Sequence, residues 1–208
     1  AVNGGDGAYV GGLVGFNPGT ITNAHATGAV TLTLTELTDA IAGGLVGTNE
    51  GQITNSYATS AVSSTGGYFV SLGGLVGFND GSIAESYATG NVSATGATVA
   101  YLGGLVGWNF ETITQSHATG NVSSNATTAN AGGFAGFNAG AISLSYASGN
   151  VSAGPASVLG GFVGTNTEMM ELDLGLRPRQ GHGAFEGRRI EVLVGEVERL
   201  ATRRCDQC

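Results

Sequence analysis

The 208-residue chain has no Lys, and its seven Arg all lie between Arg177 and Arg204. Residues 1–166 therefore hold no Lys or Arg, against seven acids: Asp6, Glu36, Asp39, Glu50, Asp80, Glu85 and Glu111. A segment of formal charge −7 with no cation cannot neutralise phosphates, which excludes nucleic acid as its partner. The only cysteines are Cys205 and Cys208, so disulfides do not hold the first 166 residues together. Pro is scarce, at 3, while Gly reaches 38 without a triplet period, which excludes collagen. No apolar run reaches about 18 residues, so no membrane-crossing helix is expected. Charged residues are only 11% and apolar ones 41%, a balance that argues against simple disorder. The chain starts at Ala1 with no leader pattern, and we expect a mature or excised piece of a larger protein.

What is present is repetition. A Gly-Gly pair recurs at Gly11, Gly43, Gly73, Gly103, Gly132 and Gly160, spaced by 32, 30, 30, 29 and 28 residues. Aligned on these pairs, the first twenty-one positions of each complete repeat match without a gap. All length variation falls in the segment that follows: 32–42, 64–72, 94–102, 124–131 and 153–159. A fixed part followed by a variable part reads as a rigid coil with a loop on one face.

The fixed part forms columns. Leu13, Leu45, Leu75 and Leu105 share one position, with Phe134 and Phe162 replacing Leu later. Ile21, Ile53, Ile83, Ile113 and Ile142 form a second column, Ala26, Ala58, Ala88, Ala118 and Ala147 a third, and Val30, Val62, Val92, Val122 and Val151 a fourth. Short β-branched runs bounded by Gly and Asn are strand signals, and no stripe of period 3.6 runs through them. Stacked coils would set each column about 4.8 Å apart and bury it continuously. The expected fold is all-β: a parallel β-solenoid of about five coils over residues 1–166, right-handed by the bias of parallel crossovers.

Asn17, Asn49, Asn79, Asn109, Asn138 and Asn166 fill one position without exception. They are expected to form a ladder at a turn, each amide bonding the next coil. Gly19, Gly51, Gly81 and Gly140 are expected to supply positive φ in that turn, with Glu111 breaking the column and straining or rearranging its turn. A column of rings follows: His25, Tyr57, Tyr87, His117 and Tyr146. After each Gly-Leu-Val-Gly or its variant comes Phe16, Thr48, Phe78, Trp108, Phe137 or Thr165. Both ring columns are open to two readings, stacking that stiffens the coils or a strip that recognises a sugar or surface. The candidate binding strip is Phe16, Phe78, Trp108 and Phe137.

Gly-Gly-Leu-Val-Gly-Phe-Asn at 73–79 and Ser-Tyr-Ala-Thr-Gly-Asn-Val at 86–92 resemble the GLUG motif repeats. The resemblance covers roughly 11–166. Such repeats occur in large bacterial surface proteins, including filamentous-haemagglutinin-like adhesins and an immunoglobulin A peptidase. The resemblance implies a parallel β-helix and a secreted or cell-surface setting in a bacterium. It carries over neither a catalytic site nor a ligand.

No catalytic group, cofactor or metal site is expected. His25 and His117 stand in for Tyr, and no Ser-His-Asp set is suggested. Glu36, Asp39 and Glu50, in or near variable segments, read as solvated rather than cation-binding. No Gly-Lys-Ser/Thr follows the Gly-rich pieces, so they are not phosphate loops. Asn91, Asn121 and Asn150 stand in Asn-Val-Ser sequons, with another at Asn125; register favours a structural column over glycosylation.

From Thr167 the repeat stops. Residues 167–208 read as an end cap, the start of another domain, or sequence out of frame. Glu186–Arg204 could form a helix with Ile190, Leu193, Val194, Val197 and Leu200 on one side, weakened by Gly195. Cys205 and Cys208 have C-x-x-C spacing, with His182 the only nearby further ligand, which is short of a zinc site.

These features lead to an expected surface-adhesin segment that binds host or neighbouring-cell glycans or proteins. A passive stalk is the alternative. Less favoured are a polysaccharide-active enzyme, for which basic residues are lacking, and ice binding by the Thr27, Thr59, Thr89 and Thr119 rank.

Overall fold

The computed structural model describes residues 1–35 and 38–168. The candidate helix at 186–204 and the Cys205–Cys208 pair lie outside the described residues.

The chain winds as a parallel β-solenoid of five coils and part of a sixth. One central coil shows the plan, with strands Phe69–Gly73, Val76–Asn79, Ser82–Ala84, Tyr87–Ala88 and Val92–Thr95. Their equivalents in the other coils stack into five parallel sheets of 6, 6, 5, 5 and 6 strands, called here the first to the fifth. Register follows the sequence columns: Gly73 pairs Gly43 and Gly103, Val76 pairs Val106, Ile83 pairs Ile113, and Val62 pairs Val92. The strands are short because the coil turns after each of them, at Gly73 and Asn79 for the first two.

The interior is split into two apolar cores. One lies between the first and fifth sheets and holds Val70, Leu72, Val62 and Val92. The other is bounded by the second, third and fourth sheets and holds Leu75, Val76, Ile83 and Ala88. The Gly-Gly pair explains the split. A Cβ on Gly74 would lie 2.0 Å from the Gly104 carbonyl oxygen and 2.9 Å from the Ala88 Cβ. Gly44 against Ala58 and Gly104 against Ala118 repeat this approach, at 2.9 and 3.0 Å. The tube is therefore pinched where backbone meets Ala methyl, and this accounts for the Gly and Ala columns together.

Two expectations need correction. The variable segment is not all loop. Its second half is the first sheet's strand, whose alternate residues Val70 and Leu72 are fully buried. Length varies at the corner before that strand: Leu32, Ser64, Ala94 and Ser124 share one register position and Asp39, Phe69, Val99 and Thr128 the next, with six, four, four and three residues of sequence between them. That strand escaped notice because its positions do not keep one residue type: Ile41, Ser71, Tyr101 and Asn130 share a place without sharing an identity.

The second correction concerns the Asn turn. Positive φ does not fall at Gly19, Gly51, Gly81 or Gly140. Among non-Gly residues it falls at Asn23, Asn55, Glu85, Gln115 and Leu144, between the third and fourth sheets, with φ of 48–54°. Gly51 is needed for space: its Cβ would lie 1.9 Å from the Gly19 carbonyl oxygen.

Candidate functional site

The Asn ladder forms as expected. Asn49 Nδ2 donates to Asn79 Oδ1 at 2.8 Å, and Asn79 Nδ2 donates to Asn109 Oδ1 at 2.7 Å. The chain of amides runs unbroken from Asn17 to Asn166. Each Nδ2 also donates to a carbonyl two residues on, such as Asn79 to Gly81 at 2.6 Å. Asn49, Asn79, Asn109 and Asn138 are fully buried, so these bonds are made away from water, where a lost partner is costly.

The Glu111 turn is rearranged. Gln52 N donates to Gly19 O at 2.8 Å and Ser82 N to Gly51 O at 2.9 Å. Thr112, in the same position one coil on, makes no such bond to Gly81 among the described residues. A Cβ on Gly81 would lie 2.1 Å from the Gly51 carbonyl oxygen, and Glu111 does carry a Cβ there.

On the outside, His25, Tyr57, Tyr87, His117 and Tyr146 form one continuous stack. Centroids are 5.1, 4.8, 4.9 and 4.9 Å apart, with interplanar angles of 3–9°. Parallel in-register strands impose this spacing. Burial in the stack lowers the pKa of His117.

The candidate strip lies elsewhere, in a crease where the outer sides of the first and second sheets meet. Val70 and Leu72 point into the core, so Phe69 and Ser71 point into the crease. Ser71 Oγ crosses it to donate to Gly77 O at 2.8 Å, and Thr165 Oγ1 reaches Asn130 Oδ1 at 2.8 Å. Trp108 occupies the crease under Tyr101, which stacks on it at 4.9 Å and 13°. Phe78 and Phe137 meet the indole edge-on at 5.9 and 5.4 Å, and Phe69 and Phe110 lie tilted at 5.7 and 5.3 Å. The structure thus gathers Phe78, Trp108 and Phe137. Phe16, 47% exposed, is separated from them by Thr48.

Sequence columns did not reveal Phe69, Tyr101 or Phe110, because their coil-to-coil partners are not aromatic: Phe69 pairs Val99, and Tyr101 pairs Ser71 and Asn130. A Ser ladder was also missed. Ser56 Oγ accepts from Ala24 N and Ser86 Oγ from Ser56 N, each at 3.1 Å, and Ser116 and Ser145 continue it. Its signal was present as the Ser preceding Tyr57, Tyr87, His117 and Tyr146 of the stack.

The sequon column has a backbone role. Asn91 Oδ1 accepts from Asn121 N, and Asn121 Oδ1 accepts from Asn150 N, both at 2.9 Å. Asn125 Oδ1 accepts from Gly96 N at 2.8 Å. At the first-coil corner the Thr35 backbone N–H and then the Thr38 hydroxyl hold the Asp6 carboxyl below its usual pKa.

Among the described residues, no three or more His, Cys, Asp and Glu group as metal ligands would. No described helix is long and apolar enough to cross a membrane.

A tube of near-identical coils, sealed by internal amide and hydroxyl ladders, defines a parallel β-solenoid repeat protein. Four of its segments, residues 6–31, 40–63, 70–93 and 98–123, match the family described as the GLUG motif. The chain carries GLUG motif repeats. No curated protein and no solved structure matches it.

Proposed function

We propose that the array is a non-catalytic segment of a secreted or cell-surface bacterial adhesin. It binds glycans or proteins of a host or neighbouring cell. One observation carries this reading: variation is concentrated on the outside of the tube, around the first sheet. The corner before that sheet changes length, and the crease after it runs Phe16, Thr48, Phe78, Trp108, Phe137, Thr165. The opposite side repeats with little change. A uniform wall supports; a varied wall can discriminate. The absence of Lys and Arg from residues 1–166 favours neutral ligands over phosphates.

A passive stalk is the second reading, favoured by the ring stack along five coils, which stiffens the tube. Beads coated with the protein separate the two. Saturable adherence to cells or glycan surfaces that survives moderate salt, and is lost when 34–38 and 66–68 are replaced or the crease rings are removed, supports the adhesin. Adherence no greater than that of beads carrying both changes sinks it and leaves the stalk.

A further inference from the structure

The crease contains a polar atom that the fold leaves unused. Trp108 Nε1 is buried and has no hydrogen-bond partner among the described residues. A buried donor without an acceptor costs about 1–3 kcal/mol.

The rings around the indole are not held equally. Tyr101 and Phe69 sit in two first-sheet strands, each paired on both sides. Phe78 and Phe137 are likewise in paired strands of the second sheet. Phe110 lies outside the strands, is 38% exposed, and precedes Glu111, whose turn has lost a regular bond to the coil before it. Of the rings packed around the indole, the least anchored is therefore Phe110, tilted against it at 5.3 Å.

We propose that Phe110 is a displaceable cover over Trp108 and that the site beneath takes a neutral saccharide. The sugar's C–H face replaces Phe110 against the indole, and a hydroxyl or ring oxygen accepts the Nε1–H. Aromatic faces suit the apolar side of a sugar ring, and the unused donor supplies direction. Neutrality follows from charge: the flanking Asp80 and Glu111 are acidic, and residues 1–166 hold no Lys or Arg to pair with a carboxylate or sulfate. The proposal rests on the glycan-binding reading above and gives it a site.

Trp108 is the only Trp, so its fluorescence reports on this site alone. The full chain is titrated with neutral oligosaccharides of glucose, galactose, mannose and N-acetylglucosamine, and with an oligoglucuronate. The expected result is a saturable emission change with a neutral sugar, insensitive to moderate salt and absent with the uronate. Phe110→Ala should red-shift the free protein's emission and tighten binding about fivefold, since the cover no longer competes. Trp108→Phe, which keeps a ring and loses the N–H, should bind at least about tenfold more weakly with its β circular dichroism intact. Sugar binding with unchanged Trp108 emission and full affinity in Trp108→Phe would place the site elsewhere and leave the adhesin reading standing. Cell adherence without binding of any neutral sugar by the native chain or Phe110→Ala would overturn the saccharide site and point to a protein ligand. Failure of both sugar binding and adherence would sink both readings.

Discussion

The two outer sides of the tube are built by different sheets of the same coils under different rules. On the ring-stack side, each coil repeats the one before: Tyr57 lies on Tyr87 at 4.8 Å and 3°. On the first-sheet side, Phe78 follows Thr48 and precedes Trp108, and the rings meet edge-on or tilted instead of in parallel. Where every coil supplies a flat ring, Tyr or His, register aligns the rings and they stack. Where Thr48 interrupts the column and Phe alternates with Trp, the rings pack across the crease instead, Tyr101 on Trp108. The stack stiffens an axis; the crease makes a local shape that no other coil shares.

The comparison is broken most severely from inside, where both sides share a backbone. Gly74→Ala puts a Cβ 2.0 Å from the Gly104 carbonyl oxygen, and neither coil can yield without shifting its neighbours. We expect a loss above about 3 kcal/mol in urea denaturation followed by circular dichroism. Ser93→Ala, on the fifth sheet, should fall within about 0.5 kcal/mol of the native chain. A cost for Gly74→Ala near that of Ser93→Ala would refute the pinch.

The two Asn columns come next. Asn79→Leu strips Asn49 Nδ2 and Asn109 Oδ1 of a buried partner and should cost about 3 kcal/mol. Asn121→Ala removes one exposed acceptor from Asn150 N and should cost under about 1 kcal/mol. Equal losses would mean that burial does not set the strength of the ladder.

Tyr87→Ala sharpens the contrast between sides. It removes stacks on both Tyr57 and His117 and should cost about 2 kcal/mol, while leaving adherence unchanged. Phe78→Ala, at the crease, should reduce adherence with a comparable or smaller loss of stability. Lost adherence in Tyr87→Ala, with the fold retained by circular dichroism, would move the binding side to the ring stack.

Much of this was legible in the sequence because a solenoid turns sequence period into contact. Asn17 to Asn166 read as a ladder and forms one, since each rung meets only its own equivalents. Where contact runs across the coil instead of along the axis, columns are blind. Gly74 against Ala88, and Tyr101 against Trp108, join different positions of the repeat, and no period announces them. Positive φ at Glu85, Gln115 and Leu144 was hidden for another reason. Stacked neighbours force the same turn on residues that disfavour it, so Asn23 and Asn55 were the only hints. Of the candidate site, three of four strip residues proved to be neighbours, while Phe69, Tyr101 and Phe110, which pack around Trp108, emerged only in three dimensions.

The smallest expected effect tests the stack from within. Burial between Tyr87 and Tyr146 lowers the pKa of His117, so the folded chain resists protonation there more than the unfolded chain does. The unfolded state then binds the extra proton first, and stability must fall as pH drops. Its contribution is intact above the ordinary His value of about 6.5 and is lost as pH falls through that value to the lowered one. The stack should therefore loosen modestly between neutral and mildly acidic pH. Carboxylates elsewhere titrate over part of the same range, so the native chain is compared with His117→Tyr, which continues the Tyr57–Tyr87 pattern without a titrating imidazole. The urea midpoint of the native chain should drop further on acidification than that of His117→Tyr, and the gap should close above neutrality. Parallel midpoints at every pH would show that the stack leaves His117 as free to take a proton as the unfolded chain does.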